Sequence, residues 1–180
     1  MAGIAPLEYG DAPPEIRARY DEQIGRHGRV TNMKRTLAHD AAAYDALLTW
    51  YPLRDRVAAF LGERDTYIFA HAISRENECL ICTTFFRRVF IEAGDDPDTP
   101  APTERQRLLI EYGRQLARDP RGVSDELRAE LLKWFSQAQL VVLTAFGALM
   151  VATNLFNDAL RVDLDEELLP YRAPSLTDAG

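Results

Sequence analysis

Near the C-terminal end, Leu140 to Ala152 is apolar nearly all the way round a helix, interrupted only by Thr144 and Gly147. A helix apolar on every face has to be buried on every face. Spanning a membrane takes about 20 such residues, and Gln137, Gln139 and Asn154 bound this run before that length is reached. The run therefore predicts a helix in the middle of a packed helical array, with Ala145, Gly147, Ala148 and Ala152 letting neighbours approach closely. A chain of 180 residues has little material with which to surround such a helix. One face is accordingly expected to be covered by a partner subunit, the competing reading being the core helix of a monomeric bundle.

The rest of the chain reads as helix after helix, without strand alternation. Gly3 to Asp11 reads as an extended arm, and Pro13-Pro14 marks a first helix whose stripe of Ile16, Tyr20 and Ile24 ends in Gly25 to Gly28. Asn32 opens a second helix through Leu37, Ala41, Tyr44 and Leu48. Pro52 suits the first turn of a third, stopped at Gly62. An approach helix carrying Tyr67, Ile68, Ala70 and Ala72 runs into a corner at Ser74 to Asn77. Beyond a linker from Gly94 to Pro102, Thr103 caps a helix closed by Asp119-Pro120-Arg121-Gly122. Ser124 opens a short helix to Phe135, and Ser136 opens the last, to about Val162. Leu164 to Gly180 reads as a tail draped over a neighbour. The expectation is one all-α domain over residues 1–180, with its core in about 32–162.

Apolar content of 47% and charged content of 27% are ordinary for a globular protein. A net charge of −7 argues against nucleic acid or an anionic membrane surface as partner. Met1 to Gly10 has neither the basic nor the apolar region of an export signal, so a cytoplasmic location is expected.

The only two cysteines, Cys79 and Cys82, are three apart, a pattern that suits a reducing compartment rather than a disulfide scaffold. Asn77 is a good N-cap, and Cys79, Cys82, Phe86, Val89 and Ala93 follow at helical spacing. Both sulfurs should then lie on one side of the first turn, with Cα atoms about 5 Å apart, within reach of a disulfide. Helix N-terminal N–H groups and the dipole favour a thiolate there. Position and spacing point to redox chemistry, against the plainer reading of two small buried apolar residues. A zinc site would need two more ligands, and His27, His39 and His71 show no metal-ligand spacing; no cofactor is indicated.

The succession Asn32-Met33-Lys34-Arg35-Thr36-Leu37-Ala38-His39, the approach helix, Asn77-Glu78-Cys79-Leu80-Ile81-Cys82 and Phe90-Ile91-Glu92-Ala93-Gly94 resembles the carboxymuconolactone decarboxylase and alkylhydroperoxidase D superfamily. Glu104-Arg105, Val123-Ser124-Asp125-Glu126 and an alanine-rich last helix holding Asn154 follow its usual order, so the resemblance covers about 32–162. It implies an all-α homo-oligomer (dimer, trimer or hexamer). It also implies a thiol peroxidase or disulfide reductase acting on a small peroxide or organic substrate and recharged by a thiol reductant. In its redox branch the second cysteine attacks and the first resolves, which would make Cys82 peroxidatic and Cys79 resolving. That branch also has a relay of a glutamate on the approach helix and a histidine four residues past the second cysteine, sometimes with another histidine between the cysteines. Those positions hold Tyr67, Phe86 and Ile81 here.

Other groups are then candidates for moving the thiol proton. Glu78, four residues before Cys82, can face its sulfur from the first turn as a general base. His71 precedes Cys79 by about two helical turns, Glu76 lies in the corner, and Arg75 would favour a thiolate. Against this, Glu76 and Glu78 read equally as dipole-favoured surface acids, and His71 as a packed histidine. Two further function classes stay open. One is a cofactor-independent decarboxylase or lyase on a small organic acid, with His71 and Arg75 as base and cation. The other is a non-catalytic oligomer whose cysteines are structural.

Overall fold

The computed structural model describes residues 3–98 and 101–173, and among them every regular element is helical. Nine α-helices follow in order: α1 Pro14–His27, α2 Asn32–Leu37, α3 Ala41–Leu48, α4 Trp50–Leu61, α5 Glu63–Glu76, α6 Leu80–Glu92, α7 Glu104–Arg118, α8 Asp125–Trp134 and α9 Gln137–Ala159. Short 3₁₀ turns occupy Pro120–Gly122 and Glu166–Tyr171. Their ends are set by local chemistry. Thr103 with Gln106, and Ser136 with Gln139, form capping boxes, and Gly28 closes α1 in the left-handed region. The single helix expected from Asn32 to Leu48 is two, because Asp40 turns extended and caps a new start at Ala41.

The hub is α5, packed on α4, α6, α7 and α9. Phe69 at its centre is fully buried between the Tyr112 and Phe146 rings, with centroids 6.0 and 6.3 Å away. Two glycines allow this approach. A Cβ on Gly113 would stand 3.1 Å from the Phe69 carbonyl oxygen, and one on Gly147 2.9 Å from Leu116. Buried Asp65 pins α7 to α5 by accepting from Gln106 at 2.7 Å and from Arg105. A second apolar cluster, Ala12, Ile16, Tyr20, Leu37, Ala38 and Tyr44, ties α1 to α2 and α3, so the buried core begins before Asn32.

Helix α9 has the length and apolarity of a membrane crossing, but it does the work of a core helix. Leu143, Phe146, Gly147 and Met150 face the interior, while Val141 and Leu155 are 67% and 69% exposed. Within one chain the helix is therefore not buried on every face. The segment expected to drape over a neighbour folds back onto its own chain as far as it is described; residues 174–180 lie outside the described residues. There Arg87 donates to the Tyr171 carbonyl at 3.0 Å, Leu168 is buried, and Asp165 accepts the Asn32 amide at 2.8 Å.

Candidate active site

The corner between α5 and α6 differs from the one its sequence suggests. Asn77 does not open a helix; it closes α5, and Glu78 follows in the left-handed region at φ 58°. The Glu78 amide donates to Arg75 and the Cys79 amide to Ser74, both at 3.1 Å, which completes a Schellman closure with glutamate where glycine is usual. Cys79 is thus the N-cap of α6 and Cys82 its third residue. Glu78, expected in the first turn of that helix, precedes it and is solvent-exposed. Asn serves either end of a helix, so the sequence alone favoured the wrong end.

Polar residues of α9 hold this corner. Ser74 donates to Asn154 Oδ1 at 3.3 Å, and Asn154 Nδ2 donates to Asn77 Oδ1 at 3.1 Å. One turn on, the Asn157 amide donates to Cys82 Sγ at 3.4 Å and to Cys79 Sγ at 3.9 Å. Both thiols are free and buried, 0% exposed for Cys79 and 8% for Cys82. Asp158, on the solvent-exposed side of the same turn, is near enough for its charge to raise the Cys79 pKa, while partial burial raises its own and Cys79 opposes that. Sequence reasoning missed Asn157 and Asp158. The available signal was a polar set at Asn154, Asn157 and Asp158, spaced three and four along one face of an otherwise apolar helix.

The two sulfurs are electrostatically unequal. The Cys82 thiol and, less strongly, the Cys82 backbone amide hydrogen-bond the Cys79 sulfur and lower its pKa, against burial and the Asp158 charge. The Cys82 pKa is raised, by its hydrogen bond to Cys79 and then by burial. Asn157 favours the thiolate of either. Of the two, Cys79 is therefore the readier to ionise and Cys82 the one that holds its proton.

Cys82 is the cysteine that reaches a cavity. A space of about 120 Å³ lies between α2, α3, α4, α6, α9 and the C-terminal 3₁₀ turn. Its walls include Trp50, Ile81, Phe85, Phe86 and Met150, with Arg29, Thr31, Lys34, Tyr51, Thr153 and Asp165 as the polar contributions. His71 does not share it. With Arg64, Arg75 and Arg114 it lines a separate cavity of about 310 Å³, edge-on to Phe86 and Phe90 at 6.2 and 5.3 Å. Burial, then the charges of Arg75 and Arg87, press the His71 pKa down to about 4, and its Nε2 is buried without a hydrogen-bond partner. Base and cation thus meet there, away from the thiols. Tyr67 and Phe86 stand against each other at 5.9 Å. Where the resemblance implies a proton relay, the chain has an aromatic pair. Among the described residues no group of three or more His, Cys, Asp or Glu is placed to hold a metal.

No protein-family model matches the sequence, and no curated protein matches it. Solved structures do. An alkylhydroperoxidase AhpD core, an uncharacterized peroxidase-related protein from Ralstonia eutropha JMP134, superposes with TM-score 0.76 at 18% identity over 97% of this chain and 98% of that one. An uncharacterized peroxidase-related protein from Silicibacter sp. TM1040 gives 0.72 at 16% identity, over 91% and 93%. A cysteine-to-alanine variant of the debrominase Bmp8 in complex with 2,3,4-tribromopyrrole gives 0.75 at 15% identity, over 93% and 94%. At these identities the likeness fixes architecture, and the chain has the alkylhydroperoxidase D-like helical fold that its sequence resembles.

Proposed function

We propose that the protein is a thiol-dependent two-electron reductase, cycling Cys79 and Cys82 between dithiol and disulfide. What supports this most directly is the Asn157 amide hydrogen-bonded to two free sulfurs, one of which opens onto an apolar cavity. Cys82 meets the substrate and Cys79 holds the charge. The Cys82 proton passes to the Cys79 thiolate as the Cys82 sulfur attacks the terminal oxygen of a hydroperoxide. The O–O bond breaks, the alkoxide leaves as an alcohol on taking from solvent the proton that Cys79 released there when it ionised, and Cys82 becomes a sulfenic acid. Asp158 takes the proton from Cys79, whose thiolate then attacks the Cys82 sulfur. Hydroxide departs as water with that proton, leaving a disulfide. The sum is a dithiol and a hydroperoxide giving a disulfide, an alcohol and water. An external thiol reductant restores the pair.

Asp158 thereby takes the role that the sequence offered to Glu78 or His71. With its pKa near 4 and its place on a different cavity from Cys82, His71 is a weak base set apart from the thiols. Turnover of cumene hydroperoxide with a dithiol reductant tests the reading: activity in the parent protein, lost in Cys82→Ser, supports it. Activity surviving Cys82→Ser assigns the chemistry elsewhere.

A second reading draws on the likeness to the debrominase. The same dithiol can reduce a carbon–bromine bond, an aryl bromide and two thiols giving the arene, a disulfide, bromide and a proton. Release of bromide with equivalent loss of both thiols distinguishes it from peroxide reduction.

A further inference from the structure

The cavity that meets Cys82 has a charged end that the dithiol chemistry does not use. Lys34, on α2, is 4% exposed, a depth at which lysine is normally paired. Its ammonium donates to Gln23 Oε1 at 2.5 Å and to the Tyr51 hydroxyl at 2.8 Å, and lies 4.9 Å from the centre of the Tyr51 ring. Both hydrogen-bond partners are neutral, and an ammonium has a third donor. The carboxylate on the same wall, Asp165, is committed to the Asn32 amide at the start of α2. Arg29, the other cation of the wall, is paired with Glu167. This end of the cavity therefore presents a buried ammonium whose hydrogen-bond partners are both neutral and on which Asp165 acts only through its charge, in a space that Trp50, Phe85 and Phe86 also line. The volume of about 120 Å³ is near the ~150 Å³ of an apolar cavity that accepts benzene.

The geometry points to a substrate that is a compact, single-ring apolar molecule carrying one anionic group, its ring among Trp50, Phe85 and Phe86, its anion on Lys34 and its reducible atom against Cys82. This rests on Cys82 being the thiol that meets substrate, but occupancy of the cavity does not require turnover. Apolar burial supplies contact, and the ammonium supplies orientation through a charge-assisted hydrogen bond. If instead Lys34 only ties α1 to α4 through Gln23 and Tyr51, the cavity has no use for a charged ligand.

Benzoate and its neutral counterpart benzamide separate these cases, since neither oxidises a thiol. Calorimetric titration of the reduced protein at pH 7 should show benzoate binding at least about tenfold more tightly than benzamide. Benzoate should also slow alkylation of Cys82 by iodoacetamide in the Cys79→Ser variant. Lys34→Met should bring the two affinities together while leaving benzamide binding in place. Equal affinities in the parent protein, no binding of either ligand, or benzoate binding that leaves Cys82 unprotected each overturn the proposal. Should Lys34→Met not fold, the parent comparison and the protection of Cys82 still decide. A protein that prefers benzoate but reduces no peroxide keeps this inference and loses the redox reading; one that reduces peroxide without the preference does the reverse.

Discussion

At the residue scale, the thiol pair is set by neighbours from a helix about 75 residues further along the chain. Asn157 donates to both sulfurs, and Asp158 is the carboxyl next to Cys79. Asp158→Asn separates two roles. If Asp158 carries the proton, peroxide reduction at pH 7 falls at least about tenfold, within the range of a lost general base. If it acts only through its charge, which raises the Cys79 pKa, the rate rises instead. Glu78→Gln should leave the rate near the parent value, because Glu78 precedes α6 and is solvent-exposed, whereas both sulfurs are buried. The cysteines themselves were legible from spacing. Their partners were not, because three polar residues in an apolar helix do not announce which distant corner they serve. His71 carries a separate consequence. Facing Phe86 and Phe90, with Arg75, Arg87 and Asp98 as its charged neighbours, it has a folded pKa of about 4 against roughly 6.5 unfolded. Below pH 6.5 the unfolded chain binds a proton that the folded chain does not, so stability is lost as pH falls from about 6.5 to 4. The loss reaches at most about 3 kcal/mol. Urea unfolding at pH 7 and pH 5 should show this difference, and His71→Leu should shrink it; an unchanged difference in that variant would place the acid sensitivity elsewhere.

At the scale of elements, the corner between α5 and α6 is where a left-handed glutamate sets the cysteines in position. The left-handed region costs an L-residue about 1–2 kcal/mol, which glycine avoids at some expense in unfolded-chain entropy. Glu78→Gly should therefore stabilise the protein by about 0.5–1 kcal/mol, read as a higher denaturant midpoint with unchanged slope. A lower midpoint would mean that the Glu78 side chain contributes to the fold. Helix ends with an unambiguous signal were legible: Thr103, Ser124 and Ser136 cap as their sequence implies, and Gly28 and Gly62 close helices. Asn77 was not, since asparagine suits a C-terminal corner as well as an N-cap. The break at Asp40 was hidden for a related reason, because the apolar spacing runs on across it. The close crossing of α7 and α9 over Phe69 depends on two glycines that periodicity does not register. Gly147→Ala places a Cβ 2.9 Å from Leu116 and 3.0 Å from Phe69, and should destabilise by about 1–3 kcal/mol.

At the scale of the whole molecule, the helical array and its apolar centre followed from periodicity, while the cavity did not. Its far wall is Asp165 and Leu168, from a segment with no helical signal that reads as a loose tail. Helix α9 leaves a row open to solvent at Val141, Ala145, Ala148 and Leu155, spaced four, three and seven apart along one face. A second copy of the chain is the expected cover. Light scattering should give a mass that is a multiple of 20.3 kDa, and Val141→Glu with Leu155→Glu should return it to the monomer value. A parent protein already monomeric at low micromolar concentration contradicts this. The central claim is that Cys79 and Cys82 act as one two-electron unit, and intact-mass analysis with a free-thiol count after one equivalent of hydrogen peroxide tests it most directly. The expected result is a loss of two hydrogens per chain, both thiols disappearing together, and full return on adding a dithiol reductant. Thiols that survive, disappear singly, or bridge only between chains would contradict it.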